Sequence, residues 1–227
     1  MTLDINTSKT IGGIGALLIF ISLFISFLVS DALFFLIPIG AILILVGLYG
    51  LSGHYRESGI FKNALIGTVV GIVGVVIAVV IAIALLWPSL ITMFELMYPG
   101  WDGNINALPN AVPDPAILES SALLDLVFSM ATNLIIILAV LCVFTIIAMF
   151  FIRQSLKQLR EKSDARLFET TGTLMLVGGF LTIIVVGYIL IWIAALLLAI
   201  AFFQLKPQEP PTTQYDTYQP PTPPPQQ

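Results

Sequence analysis

The stretch Arg153-Gln-Ser-Leu-Lys157-Gln-Leu-Arg160-Glu-Lys162-Ser-Asp-Ala-Arg166 decides how the rest of the chain is read. It carries five of the nine Lys and Arg residues in 227, and long uncharged apolar runs lie on both sides of it. Charged residues make up 10% of the chain and hydrophobic ones 58%, whereas a soluble domain is usually about 25% charged. Such a chain is a polytopic membrane protein. Its net charge of −4 says little in bulk, because the charges are sorted by position along the chain.

A hydrocarbon core about 30 Å thick takes about 20 apolar residues in a helix. Residues 11–51 are too long for one span and are interrupted at Ser30-Asp31, which predicts helices over 11–30 and 32–51 with Asp31 at an interface. Pro38 falls in the first turns of the second helix, where a missing N–H is tolerated. A short polar loop follows, with His54, Arg56, Glu57 and Lys62, and Asn63 is placed to cap the next helix. That helix is expected over 64–87, with Pro88 breaking or kinking it and 90–97 lying along the interface. Residues 98–121, rich in Pro, Gly, Asn and Asp, read as a water-exposed loop.

A fourth span over 121–152 is expected to continue into the basic stretch as an interfacial amphipathic helix. Leu156, Leu159 and Leu167 share one face of it, and Arg153, Lys157 and Arg160 another. Residues 167–205 are again too long for one span, and two short helices, 168–186 and 188–205, turning at Gly187, cost less. Whether they form two full spans or a re-entrant hairpin stays open. The reading is an all-α bundle of six transmembrane helices in three hairpins over 1–206, with a tail at 207–227. The first apolar run reads as a retained helix, not a cleaved signal.

Six spans put both termini and all nine basic residues on one side, with Arg153, Lys157, Arg160, Lys162 and Arg166 as the determining cluster. The other side holds Asp31, Glu95, Asp102, Asp114, Glu119 and Asp125. The positive-inside rule makes the basic side cytoplasmic and the membrane the cell membrane. Trp87, Trp101 and Trp192 then fall at or beyond the outer interface, as aromatic belts do.

Gly67, Gly71, Gly74, Ala78 and Ala82 step by four, three, four and four along the third helix and form one small-residue face. Such faces let helix backbones approach closely. They serve ordinary intramolecular packing more often than the seam of a homo-oligomer, the other reading. His54 is the single histidine and Cys142 the single cysteine, which leaves no set of residues to hold zinc. The acidic residues lack calcium-loop spacing, so no metal and no cofactor is expected. No Walker loop, H-E-x-x-H pair, nucleophile elbow or Ser/His/Asp set is present. An enzyme is the least supported class, and nothing points to nucleic acid. The helix interiors hold no ionisable side chain, which weighs against ion-coupled transport. A passive site lined by Ser129, Thr132 and Asn133 remains compatible. The tail carries eight prolines with Tyr215 and Tyr218 and reads as an extended segment, either a docking peptide or one with no fixed ligand.

Three stretches carry a resemblance: Ile11-Gly-Gly-Ile-Gly-Ala-Leu-Leu; Ser52-x-x-Tyr55 followed by Ile60-Phe-Lys-Asn63; and Gly178-Gly with Val186-Gly-Tyr and Ala201-Phe-Phe. Together they resemble an uncharacterised, largely archaeal membrane family, domain of unknown function 996, over about residues 7–206. The resemblance implies an integral membrane protein and carries over no functional residues. The leading expectation is therefore a non-enzymatic accessory or scaffolding component. It would meet the lipid bilayer along its helices and a cytoplasmic protein partner through the basic loop or the tail. The alternative is a small uncoupled transporter or channel.

Overall fold

The computed structural model describes residues 4–28, 35–98, 120–184 and 186–206, with the side chains of 26–28 and 183 left aside. The turn read at Ser30-Asp31, the loop over 99–119 and the tail over 207–227 lie outside these residues. Six α-helices follow in chain order: α1 (Ile5–Leu28), α2 (Leu36–His54), α3 (Ser58–Met97), α4 (Ser121–Ser163), α5 (Leu167–Leu181) and α6 (Val186–Phe203). A single 3₁₀ turn, Thr182–Ile184, joins α5 to the start of α6. Among the described residues there is no strand. The protein is an all-helical bundle of membrane type.

The principal packing pairs follow one another around a closed ring: α1 on α2, α2 on α3, α3 on α4, α4 on α5, α5 on α6, and α6 back on α1. Small residues permit these contacts. The seam of α1 and α2 brings Gly15 against the backbone of Gly40, and Gly12 against Gly47. Buried apolar residues gather at the basic end, where Leu51, Ile60, Leu156, Leu159, Phe168 and Phe202 are sealed from solvent. Phe168 and Phe202 meet edge to face at 5.4 Å between ring centroids.

The third and fourth helices are longer than expected. α3 has 40 residues and α4 has 43, or about 60 and 65 Å at 1.5 Å per residue. At its start, α3 takes up Ser58 to Asn63, so Asn63 sits inside the helix and Glu57 precedes it without a side-chain cap. At its far end α3 runs through Pro88 to Met97 as one element. Proline removes the bond to the carbonyl four residues back, here that of Ala84, and polar contacts gather at the next carbonyl along, that of Leu85, to which the Ser89 hydroxyl donates at 3.2 Å. The Asn133 amide donates to the Leu85 carbonyl at 3.2 Å and approaches Ser89 Oγ at 3.5 Å. Polar groups beside the proline are thus met from within α3 and from the neighbouring helix, as a membrane interior demands.

The other four helices accompany only the basic half of α3 and α4. Gly67 lies against Ala148 and Gly74 against Phe144, which sets the antiparallel register of the long pair. Running back along α4, α5 places Gly172 at Arg153 and Gly179 at Ile146 and Met149. The chain then turns, and Gly187 of α6 packs on Gly178. Five helices are long and apolar enough to cross a bilayer, and α5, at 15 residues, is not one of them.

Candidate functional site

The polar chemistry of the described residues concentrates at one end, where α4 hands over to α5. Ser120 caps the far end of α4, its hydroxyl accepting from the Leu123 N–H. After 43 helical residues the chain reaches Asp164, in the left-handed region with φ 55°. Its N–H bonds to the Arg160 carbonyl at 2.9 Å. Asp is one of the few residues that tolerate that conformation, and the reversal starts α5 only three residues later.

The basic residues of the 153–166 stretch line this corner. The Arg153 Nε–H donates to Thr173 Oγ1 at 3.4 Å. Arg160 pairs with Glu169 at 3.3 Å, and Lys162 with Glu57 at 3.5 Å. Both pairs are largely exposed, so each contributes at most about 1 kcal/mol. Lys157 and Arg166 are exposed. The backbone carbonyl of Arg166 accepts from the N–H groups of Glu169 and Thr170 as α5 begins. Lys9 donates to the Leu205 carbonyl at 3.1 Å, tying the start of α1 to the end of α6. Leu156 and Leu159 turn inward and are buried, while Leu167 has passed into α5, where it packs on the same core.

Between α4 and α5 this corner holds an open groove of about 570 Å³. Arg160, Arg166, Glu169, Thr170 and Thr173 form its polar part, and Leu174 and Val177 its apolar floor. Arg153 and Thr173 are twenty residues apart, and nothing local in the chain pairs them.

The small-residue face of α3 turns toward α4. Gly67, Gly71 and Gly74 lie against Ala148 and Phe144, Ala78 is buried, and Ala82 is half-buried. His54 is exposed, with its ring edge-on to Tyr55 at 5.0 Å. Burial pushes the Tyr55 phenol above its ordinary value. Among the described residues no group of three His, Cys, Asp or Glu is placed to hold a metal ion.

At the opposite end, Glu95 and Asp125 are exposed on the last and first turns of α3 and α4. Asp31, Asp102, Asp114, Glu119 and Trp101 lie outside the described residues. Trp87 is exposed on α3. Trp192 instead is held between helices: its ring stacks on Phe20 and Phe24 at 4.9 and 5.9 Å, and its N–H donates to the Phe20 carbonyl. Ser89, which no sequence pattern singled out, joins Asn133 beside Pro88, whereas Ser129 and Thr132 are exposed on α4.

The profile of the family described as "Protein of unknown function (DUF996)" matches residues 34–196. An uncharacterised protein of Methanocaldococcus jannaschii is similar over 203 residues, at 24% identity, covering 89% of this chain and 94% of that relative. No solved structure matches. Since the profile spans well over half of the chain, from the start of α2 through most of α6, this protein belongs to the DUF996 family of proteins of unknown function.

Proposed function

We propose that this protein is a non-enzymatic scaffold of the cell membrane, with both termini and the basic end in the cytoplasm. The observation that carries this reading is direct backbone contact within three helix pairs, α1 with α2, α3 with α4, and α5 with α6. Gly15 meets the Gly40 carbonyl, Gly67 the Ala148 carbonyl, and Gly178 the Gly187 carbonyl. Helices held this closely slide past one another only by breaking several contacts at once. A rigid body of this kind suits presentation of a surface. The surface available is the basic corner with its groove, continued by the proline-rich tail. The proposed partner is a cytoplasmic protein engaged by the corner or the tail.

Purification in mild detergent followed by mass spectrometry, with the full chain and with residues 207–227 removed, tests this. A protein retained by the full chain and lost with the tail is the expected result. No retained protein in either preparation, together with no self-association, would overturn the scaffold. One observation favours passive transport instead: Ser89, Asn133 and the Leu85 carbonyl gather beside Pro88, and irregular polar spots of this sort line some transport sites. Solute flux in liposomes that is lost with Asn133→Leu would select that reading.

A further inference from the structure

The turn between α5 and α6 is built of residues that suit lipid rather than water. Among the described residues around it, Phe180, Ile184, Val186 and Ile189 are exposed, at 57, 59, 48 and 54%, and Tyr188 is the one exposed side chain with a polar group, at 46%. The threonine of the turn faces inward. Thr182 is 2% exposed and its hydroxyl donates to the Gly178 carbonyl at 3.0 Å. The Thr182 N–H bonds to the Gly179 carbonyl. Gly187 is buried with its α-carbon against the Gly178 carbonyl and the Thr182 nitrogen, where no side chain would fit. Non-helical backbone at membrane depth is tolerated only when it is enclosed by protein in this way. A turn lying in headgroups or water has no need of that enclosure, and the α2–α3 and α4–α5 turns, with Arg56, Glu57, Asp164 and Arg166, lack it.

The register on α4 gives the depth. The Gly179 carbonyl lies 3.8 Å from Cys142 Sγ. From Arg153, the first residue of the basic stretch, to Cys142 is about 16 Å along the helix. From Thr173, which Arg153 contacts, to Ile184 is about 16 Å as well. Either count ends near the middle of a core about 30 Å thick. The 18-residue α6 is longer because it starts lower, where Phe202 meets Phe168. Phe20 of α1 is level with Trp192 of α6. Above the turn α4 continues from Leu141 to Ser121 and α3 from Val75 to Met97, each for about 30 Å or more.

We propose that α5–α6 is a half-membrane hairpin whose turn ends near the bilayer midplane. Acyl chains of the leaflet away from the basic end cover the turn. The inference concerns lipid and stands apart from the protein partner proposed above.

Its test uses the full chain with Cys142→Ala and one new cysteine, Ile184→Cys or, as a second site, Val186→Cys. Each is spin-labelled in bilayers, with Lys157→Cys and Ser121→Cys as references. Labels at 184 and 186 are expected to collide with oxygen more, and with an aqueous nickel chelate less, than either reference. Collision with the chelate matching that at 121 would overturn the half-membrane hairpin.

Discussion

The carbonyl of Gly179 stands 3.8 Å from the thiol of Cys142, and this contact marks how far α5 climbs along α4. It lies in a part of the bundle where small residues bring backbones together. Cys142 is also the single cysteine of the chain and is 8% exposed. A thiol-reactive dye therefore reports the opening of the bundle on heating, without any engineered label.

Gly187→Ala should lower the temperature at which that dye reacts. A methyl there meets the Gly178 carbonyl and the Thr182 nitrogen, both backbone, and overpacking of this kind costs about 1–3 kcal/mol. Gly53→Ala is the matched control, because nothing lies within 4 Å of the added atom. If the two variants melt together, the close approach of α5 and α6 is absent.

Along α3, neighbouring glycines should behave differently. A methyl on Gly71 comes 3.7 Å from the Ala148 Cβ, an ordinary contact. Gly71→Ala should therefore be neutral, or gain up to about 1 kcal/mol from helix propensity. On Gly74 the same methyl meets the Phe144 side chain near its backbone, and Gly74→Ala should lose about 1–3 kcal/mol. Thermal unfolding in one detergent compares them, and equal shifts would contradict the register of α3 on α4.

Asn133→Leu removes a donor that serves the Leu85 carbonyl beside Pro88. A loss of about 1 kcal/mol is expected. The Ser89 hydroxyl donates to the same carbonyl, so the effects of Asn133→Leu and Ser89→Ala should be coupled. A double-mutant cycle reads this directly, and additive effects would show that the two donors do not share the carbonyl.

Tyr55 predicts a pH dependence at the alkaline end. Burial raises its phenol pKa above the ordinary value of 10.0, so the folded form holds the proton more tightly than the unfolded chain. Its contribution is complete below the ordinary value and is lost as pH rises through the raised one. Melting of the native chain relative to Tyr55→Phe should hold constant from neutral pH upward and then fall in the alkaline range. A constant difference throughout would show that the phenol is not desolvated.

With the basic end in the cytoplasm, Ser121→Cys in a Cys142→Ala background should react with an impermeant thiol reagent on intact cells, and Lys157→Cys only after lysis. The reverse pattern would invert the orientation.

Much of the architecture is legible in order along the chain. Apolar runs of membrane length and the clustering of Lys and Arg announce helices and the end where the basic residues gather. The stepping of Gly67, Gly71 and Gly74 announces a packing face, which the fold turns toward α4. Other features are invisible locally. Pro88 reads as a break, yet α3 runs through it, and Asn133, 48 residues from Leu85, comes to lie beside it. Arg160 and Thr173 wall a groove only because Asp164 reverses the chain between them. Trp192 reads as a rim residue, yet its ring finds Phe20, 172 residues away.

The sequence by itself determined that the chain is helical, that it belongs in a membrane, and which of its ends is basic. Hydrophobicity and charge are local quantities that add along a segment, so they survive without knowledge of neighbours. Only the tertiary structure decided the order of helices around the ring, the persistence of α3 through Pro88, and the tier at which α5 and α6 turn. Those depend on which backbone meets which, as Gly178 meets Gly187 and Gly179 meets Cys142. Contacts of that kind follow from shape and close packing between segments, which no single segment encodes.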